Sequence, residues 1–151
     1  MANNYTQFCV QVPLRKGKHV HDEAVRIIDE GQAARALAEE ECRYDDLDDI
    51  GFEFQYDGTG GELYLYAEEH GAPDNVVSYI ETLLRRNLAL GPVFFEWAYT
   101  CSKPRPDEFG GGGALITKDK TYWFAPSRLM ELKWAALQKK RAAPKKKRRR
   151  C

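Results

Sequence analysis

The chain has 151 residues, a length that suits one domain around one hydrophobic core. Its composition, 43% hydrophobic and 12% aromatic with 30% charged residues, excludes a disordered polymer, and no run approaches the roughly 18 apolar residues of a membrane span. The formal net charge of zero conceals a segregation: Lys139, Lys140, Arg141, Lys145, Lys146, Lys147, Arg148, Arg149 and Arg150 account for nine of the 23 basic residues, leaving 14 basic against 23 acidic residues elsewhere.

In the first segment Phe8, Val10 and Val12 alternate with Gln7, Cys9 and Gln11, the period of a strand with one buried face, and Pro13 ends it. A helix is expected from about His21 to Glu41, with Asp22 and Glu23 at its positive N-terminal end and Ala24, Ile27, Ile28, Leu37 and Ala38 on its apolar stripe. Gly31 offers a point at which it could break. After the acidic stretch Asp45, Asp46, Asp48 and Asp49, a second strand carries Phe52, Phe54 and Tyr56. The turn DGTGG, residues 57 to 61, returns it as a hairpin into Leu63 to Tyr66.

The second helix opens at Pro73, carries Val76, Val77, Ile80, Leu83 and Leu84 at helical spacing, and has Gly91 just beyond its end. A fourth strand, Val93 to Cys101, places Val93, Phe95, Trp97 and Tyr99 on one face, expected to be the core face, and Phe94, Glu96, Ala98 and Thr100 on the other. Residues 102 to 113, SKPRPDEFGGGG, are expected to form a long loop, because two prolines restrict one half and four glycines loosen the other. Ala114 to Thr117 and Thr121 to Phe124 form a hairpin turning at Lys118, Asp119 and Lys120. Ser127 is expected to cap a last helix carrying Leu129, Met130, Trp134 and Leu137.

The order β-α-β-β-α-β, followed by a hairpin and a helix, defines an α+β fold. It is an antiparallel sheet with two helices on one face, a split β-α-β arrangement extended at its C-terminal end. Residues 1–138 are expected to form a single acidic domain and residues 139–151 a disordered basic tail. The start MANNYTQF lacks the basic and apolar regions of a secretory signal, so a cytoplasmic location is expected. Cys9, Cys42, Cys101 and Cys151 lack paired C-x-x-C spacing and read as reduced thiols, without a zinc knuckle or redox dithiol.

Residues 95–117, FEWAYTCSKPRPDEFGGGGALIT, resemble a group of small bacterial proteins often borne by phages or plasmids. The shared segment runs roughly F-E-W-A-x-T-C-S-K-P-R-x-x-x-F-G-G-G-A. The close match covers about 25 residues. No activity attaches to the group, so the resemblance implies a mobile-element setting and no catalytic residue, and the basic tail lies outside it.

Four clusters invite a chemical reading. Cys101, near Lys103 and Arg105, could act as a thiolate nucleophile, but its parity with Phe95, Trp97 and Tyr99 makes it a buried structural thiol, and no motif ties His19, His21 or His70 to it as a base. The loop with Lys103, Arg105, Asp107 and the glycines could cradle an anion or contact a partner, yet has neither Walker nor dinucleotide spacing. His19 and His21 would share one side of an extended chain, but neither they nor the aspartates have the spacing of a metal site. Glu39, Glu40, Glu41, Asp45, Asp46, Asp48 and Asp49 crowd the negative end of a helix, so local stability did not select them, and their density imitates nucleic-acid phosphate.

The expected function is therefore a non-catalytic binding protein of a mobile genetic element, with no cofactor. Its basic tail, which also resembles a nuclear-import signal or an added tag, would bind nucleic acid non-specifically. Its body would contact a host nucleic-acid-handling protein through Lys103, Arg105, Asp107 and the acidic residues. The alternatives are an acidic DNA-mimicking inhibitor of a host defence nuclease, of anti-restriction or anti-CRISPR type, and a small enzyme using Cys101.

Overall fold

The structure is a computed structural model that describes residues 4–41, 50–57, 61–103 and 109–142, with the side chains of 33–41 and 140–142 left out. In chain order the elements are β1 (Asn4–Pro13), α1 (Lys18–Glu41), β2 (Glu53–Asp57), β3 (Glu62–Ala67), α2 (Pro73–Arg85), β4 (Val93–Cys101), β5 (Gly110–Ile116), β6 (Thr121–Phe124) and α3 (Pro126–Ala142). The six strands form one antiparallel sheet in the order β2-β3-β1-β4-β5-β6. Each of the two β-α-β passages leaves room for a strand between its partners, and β1 and β3 fill those places. This is the expected α+β architecture.

The core lies on one face of the sheet. Phe8, Val10 and Val12 of β1, Leu63 and Leu65 of β3, Val93 and Phe95 of β4, and Ala114 and Ile116 of β5 meet Val20, Ala24 and Ile28 of α1 and the apolar stripe of α2. Among the described residues no polar or charged residue is buried, so the free energy of this packing is dominated by removing apolar surface from water. Polar contacts join helix to helix and sheet to helix. The Tyr79 hydroxyl donates to the Ala24 carbonyl at 2.8 Å, and Thr121 Oγ1 donates to Glu81 Oε1 at 2.6 Å.

Local chemistry explains the helix ends. Pro73 occupies the first helical turn of α2, where its missing N–H costs no hydrogen bond. Asn87, with φ of 61°, supplies the left-handed turn that ends the helix, a place the sequence reading gave to Gly91. Helix α1 starts at Lys18, before the expected His21, and stays helical through Gly31. Asp22 and Glu23 consequently stand beyond its first turn, where Glu23 accepts hydrogen bonds from Arg26 and Arg86.

Three expectations are corrected. The four glycines form no loop: they are the first half of β5, paired residue by residue from Gly110↔Tyr99 to Gly113↔Glu96. A β-carbon on Gly112 would lie 2.3 Å from Trp97 Cζ2, and one on Gly111 would lie 2.3 Å from the Trp97 carbonyl oxygen. The indole rests on bare backbone, and the packing of Trp97 outweighs the low strand propensity of glycine.

The expected core face of β4 is half correct. Phe95 is 1% exposed, Trp97 is half-buried, Tyr99 is 44% exposed and Cys101 is half-buried. Phase is right along the whole strand, but α2 covers only its first half. Finally, Ser127 is the second residue of α3 and caps nothing. Ala125 precedes the helix and accepts from the Leu129 N–H, with Pro126 at the first position.

Candidate functional site

Two surfaces stand out, one charged and one apolar. The charged surface gathers at one end of the sheet. Strands β1 and β2 begin there and β3, β4 and α1 end there, so Glu41, Ile50, Glu68, Glu69, His70 and Lys103 all belong to that end. The topology thus draws together the neighbourhoods of both sets of expected partner-binding residues. Glu40 and Glu41 form the last turn of α1, and Lys103 is exposed just beyond β4. Asp45, Asp46, Asp48, Asp49, Arg105 and Asp107 lie outside the described residues.

Sequence reasoning missed Glu53, Glu68 and Glu69. They border two adjoining hollows, one walled by Tyr5, Gln7 and Phe8, the other by Phe52, Tyr66 and His70. The hollows exist because β3 parts from β1 after Ala67. The chain is then held by Thr6 N–H donating to the Glu69 carbonyl at 2.7 Å and by Gln7 Nε2 donating to the Glu68 carbonyl at 2.8 Å. On the same open face the Tyr66 phenol is pushed above its ordinary pKa, first by its hydrogen bond to Glu53 and then by the charge of that carboxylate. Burial and Glu62 act likewise on Tyr64.

The histidine reading is corrected by α1. His19 and His21 are helical, which sets them roughly 200° apart around the axis, and His21 stacks against Tyr56 with ring centres 4.0 Å apart. No group of three metal-binding side chains occurs among the described residues. Cys101 pairs with Asn4 at the end of β4, and Thr6 of β1 is paired with Tyr99 on one side and bridged to His70 on the other. A whole strand therefore separates His70 from the strand that ends in Cys101.

The apolar surface is built from β4, β5, β6 and α3. Phe94, Tyr122 and Phe124 stand exposed on the face opposite the core, and Tyr99 and Trp123 stand exposed beyond the reach of the helices. Helix α3 adds Leu129, Met130, Leu132, Trp134 and Leu137, each between 45% and 67% exposed. The first turn of α3 overhangs the sheet and leaves a groove bordered by Phe94, Glu96, Gly113, Phe124, Pro126 and Leu129. The sequence signal for this surface was the run Tyr122-Trp123-Phe124 followed by an apolar helix, which reads equally well as core.

Helix α3 ends at Ala142 and so takes in four residues of the segment expected to be the tail. Lys139 is exposed on it, and Lys140 and Arg141 are in its final turn. Lys145, Lys146, Lys147, Arg148, Arg149 and Arg150 lie outside the described residues. Among the described residues no helix is long and apolar enough to cross a membrane.

Fold and surfaces together define a small α+β protein with a six-stranded open-faced sheet, an acidic end and an apolar C-terminal wing. No protein-family model, curated protein or solved structure matches the chain.

Proposed function

We propose that the chain is a non-catalytic binding protein of a mobile genetic element, whose basic C-terminal residues engage nucleic acid without sequence preference while the folded body contacts a partner protein. The observation that supports this reading is the placement of α3. Every side chain from Ala125 to Lys139 is exposed, and 17 helical residues at about 1.5 Å each put the end of α3, which carries the start of the basic segment in its last turns, about 25 Å along the axis from Pro126. Lys139, Lys140 and Arg141, in the last turns of this helix, are thereby set apart from an acidic body that would otherwise repel the same phosphates.

The test is a salt titration of a labelled oligonucleotide. Each phosphate neutralised by a tail cation steepens the fall of log affinity with log salt by about 0.7 to 0.9, so the full chain should bind with a steep slope and the chain ending at Gln138 should lose most of its affinity. Equal affinity of the two at low salt would overturn the assignment of nucleic-acid binding to Lys139, Lys140, Arg141, Lys145, Lys146, Lys147, Arg148, Arg149 and Arg150.

A second reading, an acidic inhibitor that imitates DNA, is favoured by the exposed Glu53, Glu68 and Glu69 beside the ends of the acidic 39–49 segment. Under this reading the chain ending at Gln138 retains a host nuclease in affinity capture. Charge neutralisation of Glu68 and Glu69 abolishes that capture. A small enzyme using Cys101 would require a base beside the thiol, and His70 stands across β1 from that strand.

A further inference from the structure

The chain exposes an apolar sheet wing and an apolar helix that follow each other directly, and the described residues leave most of both uncovered. At 100° per residue, Leu132, Ala136, Leu129, Leu137, Met130 and Trp134 span an arc of about 200° on α3, about twice the stripe that a helix needs against a single surface. Such an arc suits burial on two sides at once. Among the described side chains of α3, Leu129 borders the groove over the sheet and the others beyond it stand exposed.

From this juxtaposition we infer that the chain forms a two-fold dimer in which the α3 helices are exchanged, each lying in the groove of the other copy and against the other α3. A second copy is the occupant that supplies both surfaces the arc requires, a sheet groove and a helix, and the reciprocal contact closes without leaving a free end. The area suffices. With about 150–250 Å² per fully exposed aromatic, the exposed parts of Phe94, Tyr122, Phe124 and Trp134 with the leucines and Met130 of α3 amount to on the order of 1,000 Å² per copy. A standard interface takes roughly 800 Å² per partner.

Charge adds a register. Glu96 is exposed in the middle of the sheet patch, next to Phe94 on its own strand and across Gly113 from Phe124, so a glycine leaves space beside the carboxylate. On α3, Lys133 falls inside the apolar arc, between Leu129 and Leu137. One acid centred in the patch and one base centred in the arc are complementary between copies exchanged in this way, and no ion pair joins them within one copy among the described residues. Lys133 of each copy pairs with Glu96 of the partner subunit.

The inference stands whether or not the basic residues bind nucleic acid, and its test uses none. The full chain, freed of nucleic acid by nuclease treatment and salt, is examined by sedimentation equilibrium from micromolar to near-millimolar concentration. The expected result is a two-chain mass. Glu96→Lys and Lys133→Glu should each weaken the dimer at least tenfold, and the double variant should recover to within about threefold of the original, since one ion-pair orientation replaces the other. Trp134→Asp should also weaken it, with unchanged circular dichroism because Trp134 is mostly exposed and outside the core of one copy. A monomer throughout the range, or single charge reversals that leave the dimer intact, or a double variant no tighter than the singles, would each overturn the inference. So would a monomer that sediments with anionic lipid vesicles through α3, which would assign the helix to a lipid surface.

Discussion

Strand β4 is two strands in one. Phe95 and Tyr99 share a face and a strand, yet one is 1% and the other 44% exposed. The first half of β4 lies beneath α2, while the second half and the glycine half of β5 extend past the helices. Alternation of side chains tells which residues share a face, and only the length and position of the covering layer tells which of them are buried. The packed half is stabilised by apolar burial, whereas the projecting half is held by its own rings, Phe95 to Trp97 to Trp123 at 5.3 and 6.0 Å between centres.

The largest effect that tests this division is the contrast of neighbours on β4. Phe95→Ala should cost about 3 to 5 kcal/mol, and Phe94→Ala, on an exposed ring, no more than about 0.5 kcal/mol in the monomer, both read from denaturant midpoints. Similar losses in both would mean that the face opposite the core is covered. Next comes the glycine floor. Gly112→Ala forces Trp97 off its seat and should cost about 1 to 3 kcal/mol, whereas Gly110→Ala, whose added carbon meets nothing nearer than 3.8 Å, should be close to neutral.

A smaller effect is expected between the helices of the packed half. Tyr79→Phe removes the donor to the Ala24 carbonyl and should cost about 1 to 2 kcal/mol. Burial raises the Tyr79 pKa above its ordinary value of 10.0. A raised folded-state pKa means that the associated stability is complete below pH 10.0 and is lost as pH climbs through the raised value. Wild type should therefore lose stability in alkali more steeply than Tyr79→Phe, as followed by thermal melts at increasing pH.

The smallest effect belongs to Glu23, whose carboxyl is held below its ordinary 4.5, first by the hydrogen bond from Arg26 and then by Arg86. A depressed pKa contributes stability above 4.5 that fades as pH falls. Glu23→Gln should lower the melting temperature slightly at neutral pH, and the two proteins should converge in acid.

The sequence made the packed half legible because there each local signal agreed with the fold: strand alternation in β1, the hairpin turn after Asp57, proline at the head of α2. The projecting half was misread where a local rule yielded to a distant partner. Four consecutive glycines argue for a loop until Trp97, more than a dozen residues earlier, is known to need bare backbone beneath it. His19 and His21 read as extended because nothing in their own residue types announces that α1 begins at Lys18. For the candidate site, the acidic and basic clusters were legible as composition. That the end of α1 and the residues Glu53, Glu68 and Glu69 share one end of the sheet was not, since it depends on the order in which strands pair.

The position of β1 has a consequence for how the chain comes into being. It is the earliest strand to be synthesised and sits between β3 and β4, so its Phe8 to Pro13 stretch waits for Glu62–Ala67 and its Asn4 to Gln7 stretch waits for Ala98–Cys101. At about 5–20 residues per second, translation takes on the order of ten seconds to deliver β4 after β1. Throughout that interval Phe8, Val10 and Val12 have no completed sheet to enter, and the contacts that must form are among the most distant in the chain, which slows the search itself. A ribosome-bound fragment ending near residue 90 should therefore expose an unpaired strand edge that a chaperone can hold. One long enough for β4 to leave the ribosome and pair should cover that edge of β1.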